Sequence, residues 1–404
     1  MKEREYKKVY VSKKGEKLIN LSHPWIYTGE IIKEDKIENG SIVDVLNEKG
    51  KYLGSGFYNN HSKIKVRLIS KNTNDKFDKE FFKRRIRYAL EYRKNVLNDE
   101  DLNAFRVIFG ESDELPGLTV DKFNDILVAQ ILSLGIEYRK DEILTALYEV
   151  MSEDFNIKGI YLRNDVDLRK KEGMEEYVGW YDLGLPIPSA TTTQIVENHI
   201  KYIVDFKEGQ KTGFFLDQKY NRQLVKKLAK GKRVLDCCAH TGSFAMNAYL
   251  GGAIQVTASD ISNKALKDAE ENFKLNNMNI ETIEADVFDL LKDLSKPKTK
   301  KYDFIILDPP AFTKSRSTVD NALRGYQEIN YLAMKALPRG GFLATASCSH
   351  FATPEKFKEA IFKASLQANV RLKQVSYSNA APDHPELIGV DETKYLKFFL
   401  FQVF

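Results

Sequence analysis

Cysteine is scarce in this chain: the 404 residues include three cysteines, and two of them, Cys237 and Cys238, are adjacent. So few thiols exclude a disulfide framework and a four-thiolate metal site. They are typical of a reducing compartment, so we expect a cytoplasmic protein without a metal centre. Long apolar runs are also absent. No segment approaches the ~18 apolar residues that a membrane helix needs, and Met1-Lys-Glu-Arg-Glu5 does not resemble a signal peptide, so we expect no membrane partner.

The net charge of +5 is small but unevenly distributed. Residues 1–100 contain 23 Lys plus Arg and 15 Asp plus Glu, a balance of +8, and the rest of the chain sums to −3. A basic first part ahead of a near-neutral second part favours a polyanion that the first part holds and the second part modifies. A solvated lysine-rich surface would give the same numbers, so charge alone leaves both interpretations open.

The chain length suggests two or three domains. Residues 1–72 contain short strand patterns between Gly and Asn turns, which predicts a small β-domain. Residues 73–188 mix strands and helices, and Leu185-Pro-Ile-Pro-Ser-Ala190 is typical of a boundary before a third domain, 189–404. A long amphipathic helix is predicted over 76–98. Its polar face is expected to carry Lys83, Arg84, Arg85, Arg87, Arg93 and Lys94.

Regular strand–helix alternation begins near residue 230. Apolar strands are predicted at 234–238, 254–260, 281–286, 304–308 and 342–348, and two more, 371–377 and 398–404, close the chain. This alternation predicts an α/β fold in which helices cover both faces of a seven-stranded Rossmann-like sheet. Ligands of such sheets bind at the carboxyl ends of the strands, so the functional residues are sought there.

The first strand of this sheet runs into Asp236-Cys-Cys-Ala-His-Thr-Gly242, a turn of small residues before a helix. Such a turn lets the backbone approach a nucleotide closely, although it could also be a simple crossover. No G-x-G-x-x-G pattern is present, which argues against a dinucleotide.

Three successive strands end in a carboxylate: Asp236, Asp260 and Asp286. Asp260, 18 positions after Gly242, could accept both ribose hydroxyls of a nucleoside, and Asp286 could accept from an adenine amine. Each aspartate alone is more often a helix N-cap. Together they indicate a positively charged nucleoside without phosphate, and S-adenosylmethionine fits that description.

The fourth and fifth strands end in Asp308-Pro-Pro-Ala-Phe312 and in Ser347-Cys-Ser-His350. The two prolines fix an extended turn that can present Asp308 and Phe312 to a planar substrate. Cys348 precedes a helix N-terminus, predicted from Thr353-Pro354, by a few residues and neighbours a histidine, which could lower the pKa of its thiol. A lone cysteine is usually a buried apolar residue, but this position favours a nucleophile.

These elements together resemble the large-subunit ribosomal RNA cytosine-5 methyltransferase family that carries an N-terminal PUA domain, over nearly the whole chain. His23-Pro-Trp-Ile-Tyr27 is similar to the family's PUA opening, and Phe109-Gly-Glu-Ser-Asp-Glu-Leu-Pro-Gly-Leu118 to a signature of its central domain. Lys211-Thr-Gly-Phe-Phe-Leu-Asp-Gln218 resembles the segment that covers the cofactor, and Asp383-His-Pro385 completes the pattern.

The resemblance implies a class I S-adenosylmethionine-dependent methyltransferase domain, a PUA-like domain that binds RNA, 23S ribosomal RNA as the partner, and a homodimer as an open alternative. It implies cofactor contacts from Phe215, Asp217, Gln218, Asp236, Ala239, Thr241, Gly242, Asp260, Asp286 and Val287. It also implies that Cys348 is the nucleophile, assisted by Asp308, and that Pro310 and Phe312 contact RNA. Many relatives have a second cysteine after the fourth strand, but here Pro-Pro-Ala stands there, so Cys348 would act alone.

Attack of a thiolate on carbon 6 of a pyrimidine makes carbon 5 nucleophilic enough to accept a methyl group. Asp308 could stabilise charge on the ring nitrogen or exocyclic amine, and no general base is evident. An unstacked base in a single-stranded or opened region is the expected target. Three alternatives stay open: uracil carbon 5, an exocyclic purine amine, and a non-catalytic RNA-binding assembly factor.

Overall fold

A computed structural model of the chain describes residues 4–296, 301–313 and 316–404. The first three residues of the N-terminal sequence Met1-Lys-Glu-Arg-Glu5 lie outside the described residues. The chain divides into two compact units. Unit 1 comprises Met1–Ile195, Val204–Leu216 and Pro382–Thr393, and unit 2 comprises Val196–Ile203, Asp217–Ala381 and Lys394–Phe404. The division into domains 1–72, 73–188 and 189–404 stays a prediction.

Unit 1 begins with a six-stranded sheet in the order β2-β6-β5-β4-β1-β3, in which β1 and β4 are parallel and the other pairs antiparallel. Its strands are β1 (Lys7–Val11), β2 (Trp25–Tyr27), β3 (Ile31–Glu34), β4 (Ile42–Asn47), β5 (Tyr52–Tyr58) and β6 (Ile64–Ser70). A short helix that the sequence analysis missed, α1 (Lys13–Asn20), is capped by Ser12, whose side chain accepts from the backbone N–H of Gly15.

A five-stranded sheet, in the order β11-β10-β9-β8-β7, follows in unit 1. Its strands are β7 (Ala104–Phe109), β8 (Leu118–Phe123), β9 (Ile126–Ile131), β10 (Gly159–Asn164) and β11 (Tyr177–Trp180). The accompanying helices are α2 (Lys79–Val96), α3 (Leu134–Glu137), α4 (Lys140–Met151) and α5 (Leu168–Lys171). The long helix predicted over 76–98 is confirmed as α2, which is three residues shorter at its start and two at its end.

Buried polar contacts join the two sheets of unit 1. The carboxylate of Glu172, 3% exposed, accepts from Arg67 Nη2 at 2.8 Å and from Ser62 Oγ at 2.6 Å. Trp25 Nε1 donates to Glu111 Oε1 at 2.9 Å. Removing one partner of a buried charge pair leaves the other without compensation, which costs about 3–5 kcal/mol. The first 72 residues therefore depend on the central segment for charge compensation.

One position on α2 contradicts the predicted polar face. Arg93 is fully buried rather than exposed, and it forms an ion pair with Asp113. Its Nη2 also donates to the backbone oxygen of Asp383 at 2.9 Å, and the Asp383 carboxylate accepts from the backbone N–H of Arg106 at 2.9 Å. Arg93 is buried because of this long-range pairing. The segment Pro382–Thr393 belongs to unit 1, and the backbone oxygen of Asp383 needs a buried donor, which Arg93 supplies.

A hairpin contains residues of both units, since the chain passes into unit 2 at Val196 and returns to unit 1 at Val204. Its strands are β12 (Thr192–Glu197) and β13 (Ile200–Asp205), and the turn residues Asn198 and His199 have φ of 55° and 67°. Two left-handed residues in a row are typical of a type I′ turn, which matches the twist of the flanking strands. The sequence analysis did not identify this hairpin.

Unit 2 contains the predicted seven-stranded sheet, in the order β16-β15-β14-β17-β18-β20-β19. Its strands are β14 (Arg233–Cys237), β15 (Gln255–Asp260), β16 (Glu281–Glu284), β17 (Phe304–Leu307), β18 (Phe342–Ser347), β19 (Leu372–Ser378) and β20 (Lys397–Val403). Its helices are α6 (Lys219–Leu228), α7 (Ser243–Leu250), α8 (Asn263–Leu275), α9 (Val287–Leu294), α10 (Val319–Ala336) and α11 (Pro354–Ala368). The α/β fold class and all seven strands are confirmed, each strand to within two residues.

Successive side chains of a strand point to opposite faces of a sheet, and helices cover both faces of this one. Phe399 and Phe401 of β20 belong to the core that contains residues of α9, α10 and α11. Phe398, which points to the opposite face, stacks on Phe244 of α7 with ring centroids 5.9 Å apart. The parallel strands β14 to β18 have their carboxyl ends at one edge of the sheet. β20 runs antiparallel to β18, so β20 begins at that same edge. Within the described ranges, no helix has the length and apolar character to cross a membrane.

Candidate functional site

The turn after β14 has an unusual backbone. Cys238, His240 and Gly242 have φ of 62°, 49° and 76°. Such left-handed conformations are uncommon for residues other than glycine and persist where the surrounding structure holds them. The turn is held by two bonds, from the N–H of Ala239 to Ser259 O at 2.9 Å and from the N–H of Gly242 to Ala239 O at 2.8 Å. The backbone between β14 and α7 is therefore fixed before any ligand binds.

Asp260, at the end of β15, supports this turn. Its Oδ2 accepts from the backbone N–H of His240 at 2.9 Å, and its Oδ1 accepts from that of Ser262 at 2.9 Å. Ser262 is the N-cap of α8, so Asp260 itself is not a helix cap. Each carboxylate oxygen has a second lone pair, which can still accept from a hydroxyl.

Asp236, the last but one residue of β14, is 1% exposed. Its Oδ2 accepts from the backbone N–H of Ala245 at 2.9 Å, whereas Oδ1 is buried and meets no donor among the residues that the structure describes. Burial raises the pKa of Asp236 well above its usual range, the bond from Ala245 opposes the shift, and the charges of Asp308 and Asp260 add to it. An unsatisfied buried carboxylate oxygen indicates a place for a ligand donor or cation.

Asp286 follows β16 and is the N-cap of α9, where its Oδ1 accepts from the N–H groups of Phe288 and Asp289 at 2.8 and 3.3 Å. Val287, half-buried, is the first residue of that helix. The general expectation that a single strand-end aspartate caps a helix thus holds here. A capping carboxylate keeps lone pairs for a ligand, so the cap and the ligand interpretation are compatible.

The carboxylates at the strand ends converge on the thiol of Cys238. Burial raises the pKa of this thiol, and the charges of Asp260, Asp308, Asp236 and Asp286 raise it further, in that order. Cys237 is fully buried and its pKa is likewise raised by burial. The structure therefore brings together the four carboxylates that the sequence singled out, and it keeps both cysteines of the turn protonated.

The segment before α6 contributes Asp217 and Gln218. Gln218 Nε2 donates to Asp308 Oδ1 at 3.1 Å, and Gln218 Oε1 accepts from Asn221 Nδ2 at 2.6 Å. Asp217 Oδ2 accepts from the hydroxyl of Tyr395 at 2.6 Å. Gln218 thus links α6 to the end of β17 and fixes the orientation of the Asp308 carboxylate. Phe215 belongs to unit 1, where Lys211 Nζ lies 4.7 Å from its ring centroid, and its cofactor contact stays a prediction.

Two other predicted cofactor residues, Ala239 and Thr241, lie in the β14–α7 turn itself. Ala239 donates its N–H to Ser259, as described above, and Thr241 O accepts from Asn272 Nδ2 at 3.3 Å. Both are buried, so a ligand would meet their backbone more readily than their side chains.

The Asp308-Pro309-Pro310 turn begins directly after β17. Pro310 is exposed, whereas Phe312 is half-buried and stacks on Tyr326 of α10 with ring centroids 4.5 Å apart. One face of the Phe312 ring is therefore already occupied by a residue of the core. Its predicted contact with RNA is restricted to the remaining edge or face.

Cys348 follows β18, the strand beside β17, and it is half-buried. Its neighbours on both sides are anchored: Ser347 pairs with Lys397 of β20, and Ser349 Oγ lies 2.9 Å from the hydroxyl of Tyr326. Lys397 Nζ donates to the backbone oxygen of Ser349 at 2.6 Å. The predicted helix start at Thr353-Pro354 is confirmed as the beginning of α11. Among the described residues, no group of His, Cys, Asp and Glu has a metal-binding arrangement.

Tyr326, Tyr395 and Lys397 were not predicted from the sequence. Their positions depend on pairings between distant strands and helices, which local patterns do not contain. For Lys397 a weak signal existed, because it is the one charged residue in the mostly apolar sequence Lys397-Phe-Phe-Leu-Phe-Gln-Val403.

Comparison with known proteins agrees with this architecture. A profile of the S-adenosylmethionine-dependent methyltransferase family matches residues 178–402, and a profile of the PUA-like domain matches residues 9–71. The ribosomal RNA large subunit methyltransferase I of Escherichia coli is 37% identical over 400 residues, which cover 98% of this chain and 99% of the relative. The protein of that name from Shigella boydii is 36% identical over the same length and the same shares of both chains.

Two solved structures share the fold over 98% of this chain and 99% of theirs. One is described as a SAM-dependent methyltransferase from Streptococcus mutans, with a TM-score of 0.81 and 22% identity. The other is a methyltransferase in complex with SAH, with a TM-score of 0.83 and 21% identity.

A seven-stranded sheet of this strand order, with carboxylates at the ends of its parallel strands and a PUA-like domain ahead of it, defines a class I methyltransferase whose cofactor is S-adenosylmethionine. The chain belongs to the S-adenosylmethionine-dependent methyltransferase family and, within it, to the group that contains ribosomal RNA large subunit methyltransferase I.

The turn between β14 and α7 offers a test of how tightly its backbone is packed. A Cβ at Gly242 would lie 2.4 Å from the ring of the buried Phe273, whereas a Cβ at the exposed Gly231, which has nearly the same φ of 72°, would meet nothing within 4 Å. We expect Gly231→Ala to cost only the left-handed backbone strain, roughly 1–2 kcal/mol. Gly242→Ala should cost about 1–3 kcal/mol more, because the core must give way. Urea unfolding of both variants measures the difference, and equal losses would contradict the packing argument.

Proposed function

We propose that this protein methylates carbon 5 of a cytosine in large-subunit ribosomal RNA, with Cys348 as the nucleophile. The observation that carries the proposal is the position of Cys348. It is a half-buried thiol directly after β18, and β18 lies next to β17, the strand that Asp308 follows. The names of the relatives that match over the whole chain support ribosomal RNA as the substrate class.

The cofactor fits the residues at the strand ends. We propose that Asp260 accepts the ribose hydroxyls and that Asp286 accepts from the adenine amine, with Val287 as an apolar contact. The turn formed by Ala239, Thr241 and Gly242 lets the ligand approach the backbone closely. The unsatisfied oxygen of Asp236 and the surrounding carboxylates favour a ligand that carries positive charge and no phosphate, as S-adenosylmethionine does.

The first experiment on this proposal measures cofactor affinity without RNA. Asp260→Ala and Asp286→Ala should each lose about 1–3 kcal/mol, so that the dissociation constant rises roughly 5- to 150-fold. Isothermal titration calorimetry with S-adenosylmethionine measures both. Because Asp286 also caps α9, Asp286→Ser is the matched control, since serine caps a helix equally well. It should restore thermal stability without restoring affinity. Unchanged affinity in both alanine variants would remove these residues from the cofactor site.

Cys348 would begin the reaction on the base. Its thiolate attacks carbon 6, a C–S bond forms, and the electron pair of the C5–C6 double bond moves to carbon 5. S-adenosylmethionine, when bound, supplies an electrophilic methyl group. Asp308, held by Gln218, would hydrogen-bond the ring nitrogen or the exocyclic amine and stabilise the charge that develops there. When a base removes the proton from carbon 5, the electron pair of that C–H bond restores the double bond and expels the Cys348 thiolate.

The test that separates carbon from amine methylation is Cys348→Ala. Methyl transfer should fall by roughly 10³-fold or more while cofactor and RNA binding persist, because alanine cannot attack carbon 6. RNA that contains 5-fluorocytidine should trap a methylated adduct, which mass spectrometry should map to the Cys348 peptide, since fluorine cannot leave as a proton does.

Cys238→Ala is the matched control for that test. It lies in the cofactor turn and should affect cofactor affinity more than the chemical step. If Cys348→Ala retained near-normal turnover, the reaction would instead be methylation of an exocyclic amine at the Asp308-Pro309-Pro310 turn. Unchanged trapping by the fluorinated RNA in that variant would equally refute the mechanism.

We propose that the PUA-like domain holds the RNA. Glu16 of α1 accepts from Asn47 Nδ2 at 2.9 Å, so α1 and the β4–β5 turn are neighbours. Both elements carry exposed lysines, and they are Lys13, Lys17, Lys49 and Lys51. By contrast, the cations of α2 are largely compensated: Lys83 pairs with Glu149, Arg84 with Asp75 and Arg87 with Glu153. Phosphate contacts are therefore expected from the first elements rather than from α2.

Charge reversal tests this surface without removing a part of unit 1. In Lys13→Glu/Lys17→Glu, RNA affinity should fall and the slope of log affinity against log salt should become shallower by roughly 1–2, because phosphate contacts are lost. Filter binding at several salt concentrations measures both. Lys358→Glu/Lys363→Glu on the exposed face of α11 changes net charge equally and should have the smaller effect. Equal losses in the two pairs would indicate a nonspecific charge effect.

A further inference from the structure

Lys397 is a buried cation at the start of β20, and the proposed reaction does not yet use it. The residue is 3% exposed and pairs in register with Ser347, the residue before Cys348. Lysine is almost never fully buried unless its charge is compensated. A fully buried lysine beside the proposed nucleophile therefore calls for a physical reason.

The contacts of the ammonium group explain its position but not its charge. Nζ donates to the backbone oxygen of Ser349 at 2.6 Å and to that of Tyr395 at 2.8 Å. Both acceptors are neutral, and among the described residues no carboxylate lies within ion-pair distance of Nζ. The bond to Ser349 fixes the residue that follows Cys348. Lys397 therefore holds the segment 347–349 in two ways, through its strand pairing with Ser347 and through this side-chain hydrogen bond.

The charged group that favours the ammonium form of Lys397 is a thiolate at Cys348. Burial lowers the pKa of Lys397 to about 8, and the charge of Cys348 is the interaction that opposes this shift. Coupling between two titrating groups is reciprocal, so an interaction that favours the ammonium favours the thiolate by the same free energy. With a pKa of about 8 the lysine is still charged near pH 7 and loses its proton as the pH rises further.

The other titratable groups around Cys348 come from three elements. Tyr326 of α10 donates or accepts at Ser349 Oγ, and burial raises its pKa, so it is neutral near pH 7. His350 lies in the loop after Cys348, with Nδ1 3.1 Å from the backbone oxygen of Lys394. Asp308 follows the neighbouring strand and accepts from Gln218. Neither Tyr326 nor Asp308 carries a positive charge that could stabilise a thiolate.

We propose that Lys397 is a positioning residue for Cys348, which fixes the Ser347–Ser349 segment and supplies the positive charge that stabilises the Cys348 thiolate. The inference rests on the proposed nucleophilic role of Cys348. In the reaction, the charge of Lys397 would stabilise the thiolate before the C–S bond forms and again when elimination returns the electron pair to sulfur. Lys397 exchanges no proton with the base in either step.

Alkylation of the free protein by iodoacetamide tests this without RNA or cofactor. The rate at the Cys348 peptide, followed by mass spectrometry from pH 5.5 to 10, should give an apparent thiol pKa below the usual value of about 8.5. Lys397→Met should alkylate about tenfold more slowly at pH 7, a shift of about one pKa unit, whereas Lys397→Arg should keep most of the wild-type rate. Cys237 is fully buried and should stay unmodified in the folded variants, so alkylation at its peptide would report unfolding.

Two results would overturn the proposal. One is a wild-type Cys348 that titrates at or above about 8.5, which can be measured even if Lys397→Met does not fold. The other is a folded Lys397→Met protein with lower thermal stability but an unaltered Cys348 titration, which would show a purely structural lysine. The alkylation experiment contains no substrate, so its outcome does not depend on the methylation reaction. Whether carbon is the methylated atom is decided separately, by the activity of Cys348→Ala.

Discussion

Repulsion among four carboxylates at one edge of the seven-stranded sheet is the constraint on which unit 2 depends. Parallel strands end at the same edge, so Asp236, Asp260, Asp286 and Asp308 cannot be separated without changing the fold. Each is accommodated differently. Backbone N–H groups bind Asp260, a helix N-terminus binds Asp286, and the amide of Gln218 binds Asp308. Asp236 is compensated least, and burial raises its pKa, which favours the neutral carboxyl group. A cationic ligand at this edge would favour the carboxylate, so its binding would be coupled to the charge of the edge.

The two cysteine positions lie in opposite electrostatic surroundings, although only one strand, β17, lies between the strands that they follow. Cys238 is half-buried beside four carboxylates, and burial together with their charges raises the pKa of its thiol, which therefore stays protonated near neutral pH. Cys348 is half-buried, and its charge partner is the ammonium group of Lys397. Sequence alone distinguishes these cysteines only by their place in the strand order. The structure adds a physical difference between the two cysteines, which is consistent with the nucleophilic role that we propose for Cys348 alone.

The sequence predicted those features whose signal is local. Apolar strands bounded by aspartates were located to within two residues, and Thr353-Pro354 marked a helix start, because a cap and a proline act on adjacent backbone. Features that depend on distant partners were not predictable. Arg93 looked exposed by helical spacing, but Asp113 and the returning segment at Asp383 bury it. Lys397 and Gln218 acquire their roles from strand pairing and from a contact across 90 positions.

The Asp308-Pro309-Pro310 turn by itself fits methylation of either a ring carbon or an exocyclic amine, because a fixed carboxylate can orient both. What distinguishes the two reactions is the residue on the neighbouring strand. Amine methylation requires no thiol, so selection for that reaction would leave no physical reason to bury a lysine without a carboxylate partner beside Cys348. Burying that ammonium is costly, since two neutral carbonyl groups compensate it only partly. The cost is understandable if the charge acts on a thiolate, and on this ground the carbon mechanism accounts for more of the structure than its rival.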